Sequence, residues 1–254
     1  EIHERLVGSE MCIRDSRKSP FLFFLFQKVC VIIPPMLEII FEDEFIIVCK
    51  KPPGIPTQTP KSGVTDMVSL LKNYRVSKGE PHYVGLVHRL DQPVEGVMVF
   101  AKDKKSAAAL SAQMQAHTFE KYYYAMVEGT FSPACGTLEN YLLRDGKSNV
   151  SSVVPKDTTG AKRAELSYET VKTMEDRSLV RIQLKTGRHH QIRVQLAHAG
   201  HPIIGDKKYG RNTPGYLPLG LCSYHIGFIH PATKEKVVYE ITPSGAVFQQ
   251  VSYE

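Results

Sequence analysis

Cysteine is scarce in this chain and never closely paired: Cys12, Cys30, Cys49, Cys135 and Cys222 are odd in number, widely scattered and form no CxxC. That spacing argues against a disulfide framework and against a zinc site, and it fits a reducing cytosol, so a cytoplasmic location is expected. No apolar run here has the length of a membrane span; the block Pro20-Phe21-Leu22-Phe23-Phe24-Leu25-Phe26 is interrupted by Gln27 and Lys28, and no clear small-residue cleavage site follows it. Internal repeats and low-complexity tracts are missing. HExxH is missing too, and adjacent histidines such as His189 and His190 would point about 100° apart on a helix, so no metal is expected. There is no acidic excess: 32 Lys and Arg stand against 26 Asp and Glu, a formal +6 that favours polyanionic partners. Charge of that size is common, so the function has to be read from motifs. A chain of 254 residues with 42% hydrophobic content suits one globular domain, or one domain with a small appendage.

Residues 1–35 read differently from the rest, because a charged stretch over 1–18 runs straight into the unpatterned apolar block. The string from Val7 to Ser16 resembles a translated adapter fragment found at the ends of unrelated proteins. Residues 1–35 are therefore expected to be a non-native or disordered extension, the alternative being a genuine membrane-tethering one, and the folded domain is expected over 36–254. Segments 37–41 and 45–49 flank the acidic turn Glu42-Asp43-Glu44 and predict a hairpin. Lys50-Lys51-Pro52-Pro53-Gly54-Ile55-Pro56 predicts a rigid loop, since its three prolines remove backbone donors. Over 65–74, Met67, Leu70, Leu71 and Tyr74 share one helical face, with Asp66 at the positive end. Residues 105–117 read as an alanine-rich helix, and strands are expected at 96–101, 122–127, 164–171, 179–184 and 236–241. Two helices among many strands predict an α+β domain on a largely antiparallel mixed β-sheet.

Chemistry concentrates in three places. In Gly85-Leu86-Val87-His88-Arg89-Leu90-Asp91-Gln92-Pro93-Val94-Glu95-Gly96, a loop between apolar runs can present the Asp91 carboxylate at a cleft, although Asp91 could equally cap the Gln92-Pro93 turn. In Phe119-Glu120-Lys121-Tyr122-Tyr123-Tyr124-Ala125, strand alternation points Tyr123 away from its neighbours. It is then either an ordinary strand aromatic or a stacking platform for a base, with Lys121 beside it for a phosphate. Lys185-Thr186-Gly187-Arg188-His189-His190-Gln191-Ile192-Arg193 continues to Gly200, then through His201-Pro202-Ile203-Ile204-Gly205-Asp206 to Tyr209-Gly210. Strand, turn, helix and loop are expected there, with a helix start near Arg188 suited to an anion. A metal held by His189, His190, His198, His201 and Asp206 is disfavoured by the spacing.

Taken in chain order, HRLD with a glycine five residues after the Asp, FEKYYYA, TGRHHQIR, GHPIIGD and YG resemble the RluA family of RNA pseudouridine synthases over about residues 36–245. The resemblance implies the pseudouridine synthase fold, with flanking helices and loops around a central RNA-binding cleft. It also implies an isomerase that converts uridines of rRNA or tRNA to pseudouridine with no cofactor. Under it, Asp91 is the covalent nucleophile and Arg89 enters the RNA stack when the nucleotide flips out. Tyr123 stacks on the uracil, and Arg193, rather than Arg188, pairs with Asp91. His88, Lys121, Arg188 and Ile203 are expected at the RNA substrate, Ile203 and Ile204 enclosing the site against water. Two departures stand out: Val94-Glu95 replaces a Thr-Ser pair, and Gln195 stands where many members have histidine. With no S4-type domain expected, RNA would be gripped by Lys50, Lys51, Arg89, Lys121, Lys162, Arg163, Arg188, Lys207, Lys208 and Arg211. A monomer with no membrane association and no obligate protein partner is expected. The alternatives are a catalytically silent RNA-binding protein of the same fold and a hydrolase built on the histidine-rich segment.

Overall fold

The expected hairpin forms where the acidic turn reverses the chain. β1 (Glu38–Glu42) and β2 (Ile46–Lys51) pair antiparallel, and Asp43 Oδ1 accepts the Phe45 and Ile46 N–H groups at 2.7 and 2.8 Å. The structure, a computed structural model, describes residues 37–210 and 217–249; the expected 1–35 extension, Met36 and Arg211 lie outside the described residues. α1 (Met67–Ser77) starts where Asp66 and Ser69 close a capping box, the Asp66 side chain accepting Ser69 N–H at 2.7 Å and the Ser69 hydroxyl oxygen accepting Asp66 N–H at 3.1 Å. Its apolar face, Met67, Leu70, Leu71 and Tyr74, is buried as the spacing predicts. After the short β3 (Gly85–Leu86) and the wholly buried β4 (Glu95–Ala101) comes α2 (Lys104–Gln115), capped by Asp103 through Ser106 N–H.

The rest is mainly sheet: β5 (Glu120–Glu128), β6 (Cys135–Asp145), β7 (Val150–Val154), β8 (Lys162–Thr173) and β9 (Arg177–Leu184) precede α3 (Gln191–His198). β10 (Leu221–Ile229) and β11 (Lys236–Glu240) follow. The eleven strands among the described residues form one sheet in the order β1-β2-β4-β10-β5-β9-β8-β6-β7, with β11 on β10 and β3 on β4. Every pair is antiparallel except β4 with β10, so the fold is the expected α+β mixed sheet. α1 and α3 pack on one face with Ile47, Met98, Tyr123 and Val180, whereas α2 covers the other with Val97, Val99 and Phe228.

The parallel pair positions the loop that carries Asp91. Gly96 lies against Ser223, and a Cβ added there would stand 2.5 Å from the Ser223 Cβ and 2.8 Å from its carbonyl oxygen. Only glycine lets the two backbones approach so closely. β3, β6, β7 and β10 had no counterpart in the sequence reading. β6 is mostly exposed or half-buried, and β10 carries Ser223, Tyr224 and His225 in its middle, so neither shows the apolar signature of a strand.

Candidate active site

Asp91 lies in the loop between β3 and β4, and that loop is moulded by the proline-broken segment after β2. Thr57 Oγ1 accepts the Leu90 N–H at 3.1 Å and donates to the Leu90 carbonyl at 2.9 Å. Gly54 N–H donates to the Gln92 carbonyl at 2.8 Å while the Gln92 side-chain amide donates to the Gly54 carbonyl at 2.9 Å. Gly54 holds φ at +88°, a conformation that suits glycine. Beneath them Lys51 is fully buried and its Nζ donates to the carbonyls of Pro52, Gln92 and Val94 at 3.0, 3.0 and 2.7 Å. Lys51 therefore corrects one expectation: it faces the interior and holds the Asp91 loop instead of meeting RNA. Burial pushes its ammonium down to about 7, with the Asp91 and Glu95 carboxylates working the other way. Three carbonyl acceptors match the three donors of the protonated form.

Across from this loop, α3 supplies Arg193. Its Nε and Nη2 donate to the Asp206 carboxylate at 2.8 and 2.7 Å, and its Nη1 reaches Asp91 Oδ2 at 3.3 Å. Asp206 also accepts the N–H groups of Lys208 and Tyr209 at 2.9 and 3.1 Å. Burial opposes its charge, but Arg193 and these N–H groups outweigh burial and hold its carboxyl below the ordinary value. Asp206, weighed above as a metal ligand, thus anchors the guanidinium that faces Asp91. His190 precedes α3 in a left-handed conformation with φ +54°. Its Nε2 stands 3.7 Å from Asp91 Oδ2 and its Nδ1 is 2.8 Å from the Tyr209 hydroxyl.

On β5 the alternation read from the sequence holds. Tyr123, Ala125 and Val127 belong to the core on the α1 and α3 face, and Tyr124 lies opposite, stacked on Tyr224 at 4.0 Å between ring centres. Tyr123 is buried; burial above all, and the nearby Asp91 charge, push its hydroxyl up to about 12 against a hydrogen bond with Ser223. It therefore keeps its proton at neutral pH. Lys121 shares that face by alternation, is half-buried with its ammonium lowered by burial, and sits beside Gly187.

The remaining candidates separate. Ile203 is buried in the same apolar cluster as Tyr123 and bridges to Val127. Arg89 is exposed and makes a weak 3.5 Å approach to the Gln58 carbonyl. Arg188 is exposed as well and donates to the Arg163 carbonyl at 2.9 Å. His88 turns inward, where its Nε2 accepts the Val99 N–H at 3.3 Å and its ring lies near Phe119, so it braces the loop from behind instead of facing RNA. Sequence reasoning gave no role to Glu95, Lys51 as a loop clasp, or the Tyr209–His190 pair. Glu95 accepts from Ser244 N–H, Ser244 Oγ and Gly245 N–H at 3.0, 2.7 and 3.0 Å, tying β4 to the turn before the 3-10 helix Ala246–Phe248. Gln195 donates to the Leu138 carbonyl and Asn140 Oδ1 at 3.1 and 2.8 Å, tying α3 to β6.

A family model described as RNA pseudouridylate synthase matches residues 45–198. The uncharacterized RNA pseudouridine synthase YhcT of Bacillus subtilis is 35% identical over 206 residues, which span 80% of this chain and 68% of that protein. Ribosomal large subunit pseudouridine synthase D of Zymomonas mobilis is 33% identical over 219 residues, again 80% of this chain and 68% of the relative. Among solved structures, human RNA pseudouridylate synthase domain containing 4 superposes with a TM-score of 0.68 at 23% identity, over 81% of this chain and 88% of that one, which shows a common fold. Among the described residues no helix is long and apolar enough to cross a membrane.

Proposed function

This chain belongs to the RluA family of RNA pseudouridine synthases, isomerases that act on RNA, and on that premise we propose that ribosomal RNA is its substrate and Asp91 its nucleophile. The observation that carries the reading is the chain of contacts from buried Asp206 through Arg193 to Asp91, closing at 3.3 Å on a carboxylate still 29% exposed. The guanidinium offers a charged donor to the carboxylate, and its anchoring on Asp206 keeps it aimed. Ribosomal RNA is favoured because relatives such as the Zymomonas protein carry a ribosomal large subunit name.

The reaction breaks the bond between uracil N1 and ribose C1′, turns the base, and joins C5 to C1′; N1 gains a proton and C5 loses one. Asp91 is recessed in its loop and Tyr123 is buried, so the uridine has to leave the RNA stack to meet both. Tyr123 stacks against the extruded uracil as a neutral phenol. Its hydroxyl, pushed up to about 12, is poorly suited to take the C5 proton. Exposed Arg89 stands beside the vacated position and can pair with phosphate or stack on neighbouring bases.

The test uses the full chain and its Asp91→Asn variant on ribosomal RNA and transfer RNA labelled with tritium at uridine C5, scoring tritium release and pseudouridine. Product from ribosomal RNA with the native chain alone supports both parts. Equal product from the variant would remove Asp91 from the chemistry, and product from transfer RNA alone would replace the substrate.

A further inference from the structure

Beside Arg193, His190 also stands within ion-pair distance of the Asp91 carboxylate, and it does so from a strained backbone. His190 adopts φ +54°, a region that non-glycine residues enter at a cost of about 1 kcal/mol or more. This conformation turns the imidazole toward Asp91 at the start of α3, with Nε2 at 3.7 Å from Oδ2, just outside hydrogen-bond range.

The other ring nitrogen pairs with a phenol. Tyr209 Oη already accepts the Ser151 N–H at 2.8 Å, so the hydroxyl proton must point elsewhere, and His190 Nδ1 lies 2.8 Å away. Burial raises the Tyr209 hydroxyl above its ordinary value, so that proton is present. A neutral imidazole accepting at Nδ1 carries its hydrogen on Nε2, the nitrogen that faces Asp91. Asp91, Arg193, His189, Lys208 and Tyr209 surround the ring from three segments. Burial and the three cationic or imidazole neighbours oppose a charge on it, and Asp91 favours one; the balance pushes it down to about 4.

Both approaching donors, His190 Nε2 and Arg193 Nη1, converge on Oδ2 of Asp91. Among the described residues Oδ1 accepts no hydrogen bond and joins no ion pair. Resting on the function proposed above, we propose that His190 is a positioning residue: locked by Tyr209 with its Nε2–H toward Asp91, it helps Arg193 hold Oδ2 so that Oδ1 supplies the attacking electron pair.

The experiment compares the native full chain with His190→Asn, His190→Gln and Tyr209→Phe. Asparagine tolerates the left-handed backbone but is too short to reach Asp91, whereas glutamine returns an N–H near the reach of Nε2. Tritium release from C5-labelled ribosomal RNA gives kcat and KM against pH, and nitrogen-15 NMR of the RNA-free protein gives the His190 tautomer. In His190→Asn, kcat is expected to fall several-fold, about the effect of losing a donor that closes on the charged carboxylate once RNA is bound, with KM unchanged. His190→Gln should recover most of kcat, and Tyr209→Phe should fall between. The native spectrum should show a bare Nδ1 and a protonated Nε2. A protonated Nδ1, an unchanged kcat in folded His190→Asn, a loss confined to KM or melting temperature, or no recovery with glutamine would each overturn the inference. A native chain that makes no pseudouridine overturns the proposed function instead, and the tautomer, read without RNA, still decides whether His190 is aimed as inferred.

Discussion

Two side chains of the same short segment, His88 and Arg89, take opposite directions, and each follows from its surroundings. Arg89 stays in solvent, where a guanidinium keeps its hydration. His88 is drawn into the core because the Val99 N–H needs an acceptor there, and burial first, then the nearby Lys121 ammonium, push its imidazole down to about 3. The unfolded chain holds this histidine near 6.5, so between those values the unfolded state takes up a proton that the fold refuses. The stability it contributes is fully present above pH 6.5 and is lost as pH falls through that window. Thermal melts at pH 7, 6 and 5 should therefore fall more gently in His88→Gln, which keeps an acceptor but cannot titrate; parallel curves for native and variant would contradict this. Lys51 shows the same principle with the other sign of exposure. A residue that reads as a surface cation is enclosed because three carbonyl oxygens of the Asp91 loop converge on it.

At the level of elements, α1 and α2 were legible because each announces itself locally: α1 by apolar residues at helical spacing behind Asp66, α2 by its alanines, and the structure adds Ser69 and the Asp103–Ser106 pair as their caps. β10 was not legible, since it is central in the sheet yet carries polar residues that meet Tyr123, β11 and β4 only after folding. Its parallel pairing with β4 depends on Gly96. The Gly96→Ala change forces a methyl into Ser223 where backbone also crowds it, and should cost about 1–3 kcal/mol in urea unfolding. Activity should fall beyond what stability explains, because the strand that must shift begins four residues after Asp91. A stable, fully active alanine variant would show that the two strands separate freely. Glu95, the departure from the family pattern, has a local reason: its carboxylate gathers three donors from Ser244 and Gly245, a task that a shorter serine could not perform across the same gap.

Across the whole molecule, basic side chains divide into those consumed by the fold and those left for RNA. Lys51 is consumed and Arg163 is engaged with Glu139 and Glu165 at 2.8 and 2.6 Å, while exposed Lys208 and Arg188 each give one donor to a backbone carbonyl, of Asn149 at 2.6 Å and of Arg163 at 2.9 Å. Arg89 and Arg188 remain exposed near the Asp91 loop and the start of α3. RNA affinity should fall steeply with salt, and Arg89→Gln should lower the slope of log affinity against log salt by about 0.7, the value for one single-stranded phosphate contact. Filter binding over a salt series measures it, and an unchanged slope would place Arg89 away from the phosphates. The sequence by itself determined the motifs, the family, both early helices and the face on which Tyr123 stands, because each is written within a few neighbouring residues or in their period. Only the tertiary structure decided that Lys51 and His88 point inward, that Asp206 anchors Arg193, and that Tyr209 reaches His190. These outcomes join residues as far apart as the 43 positions between Lys51 and Val94, and local pattern cannot say which buried carbonyl, amide or carboxylate will need a partner once the sheet closes.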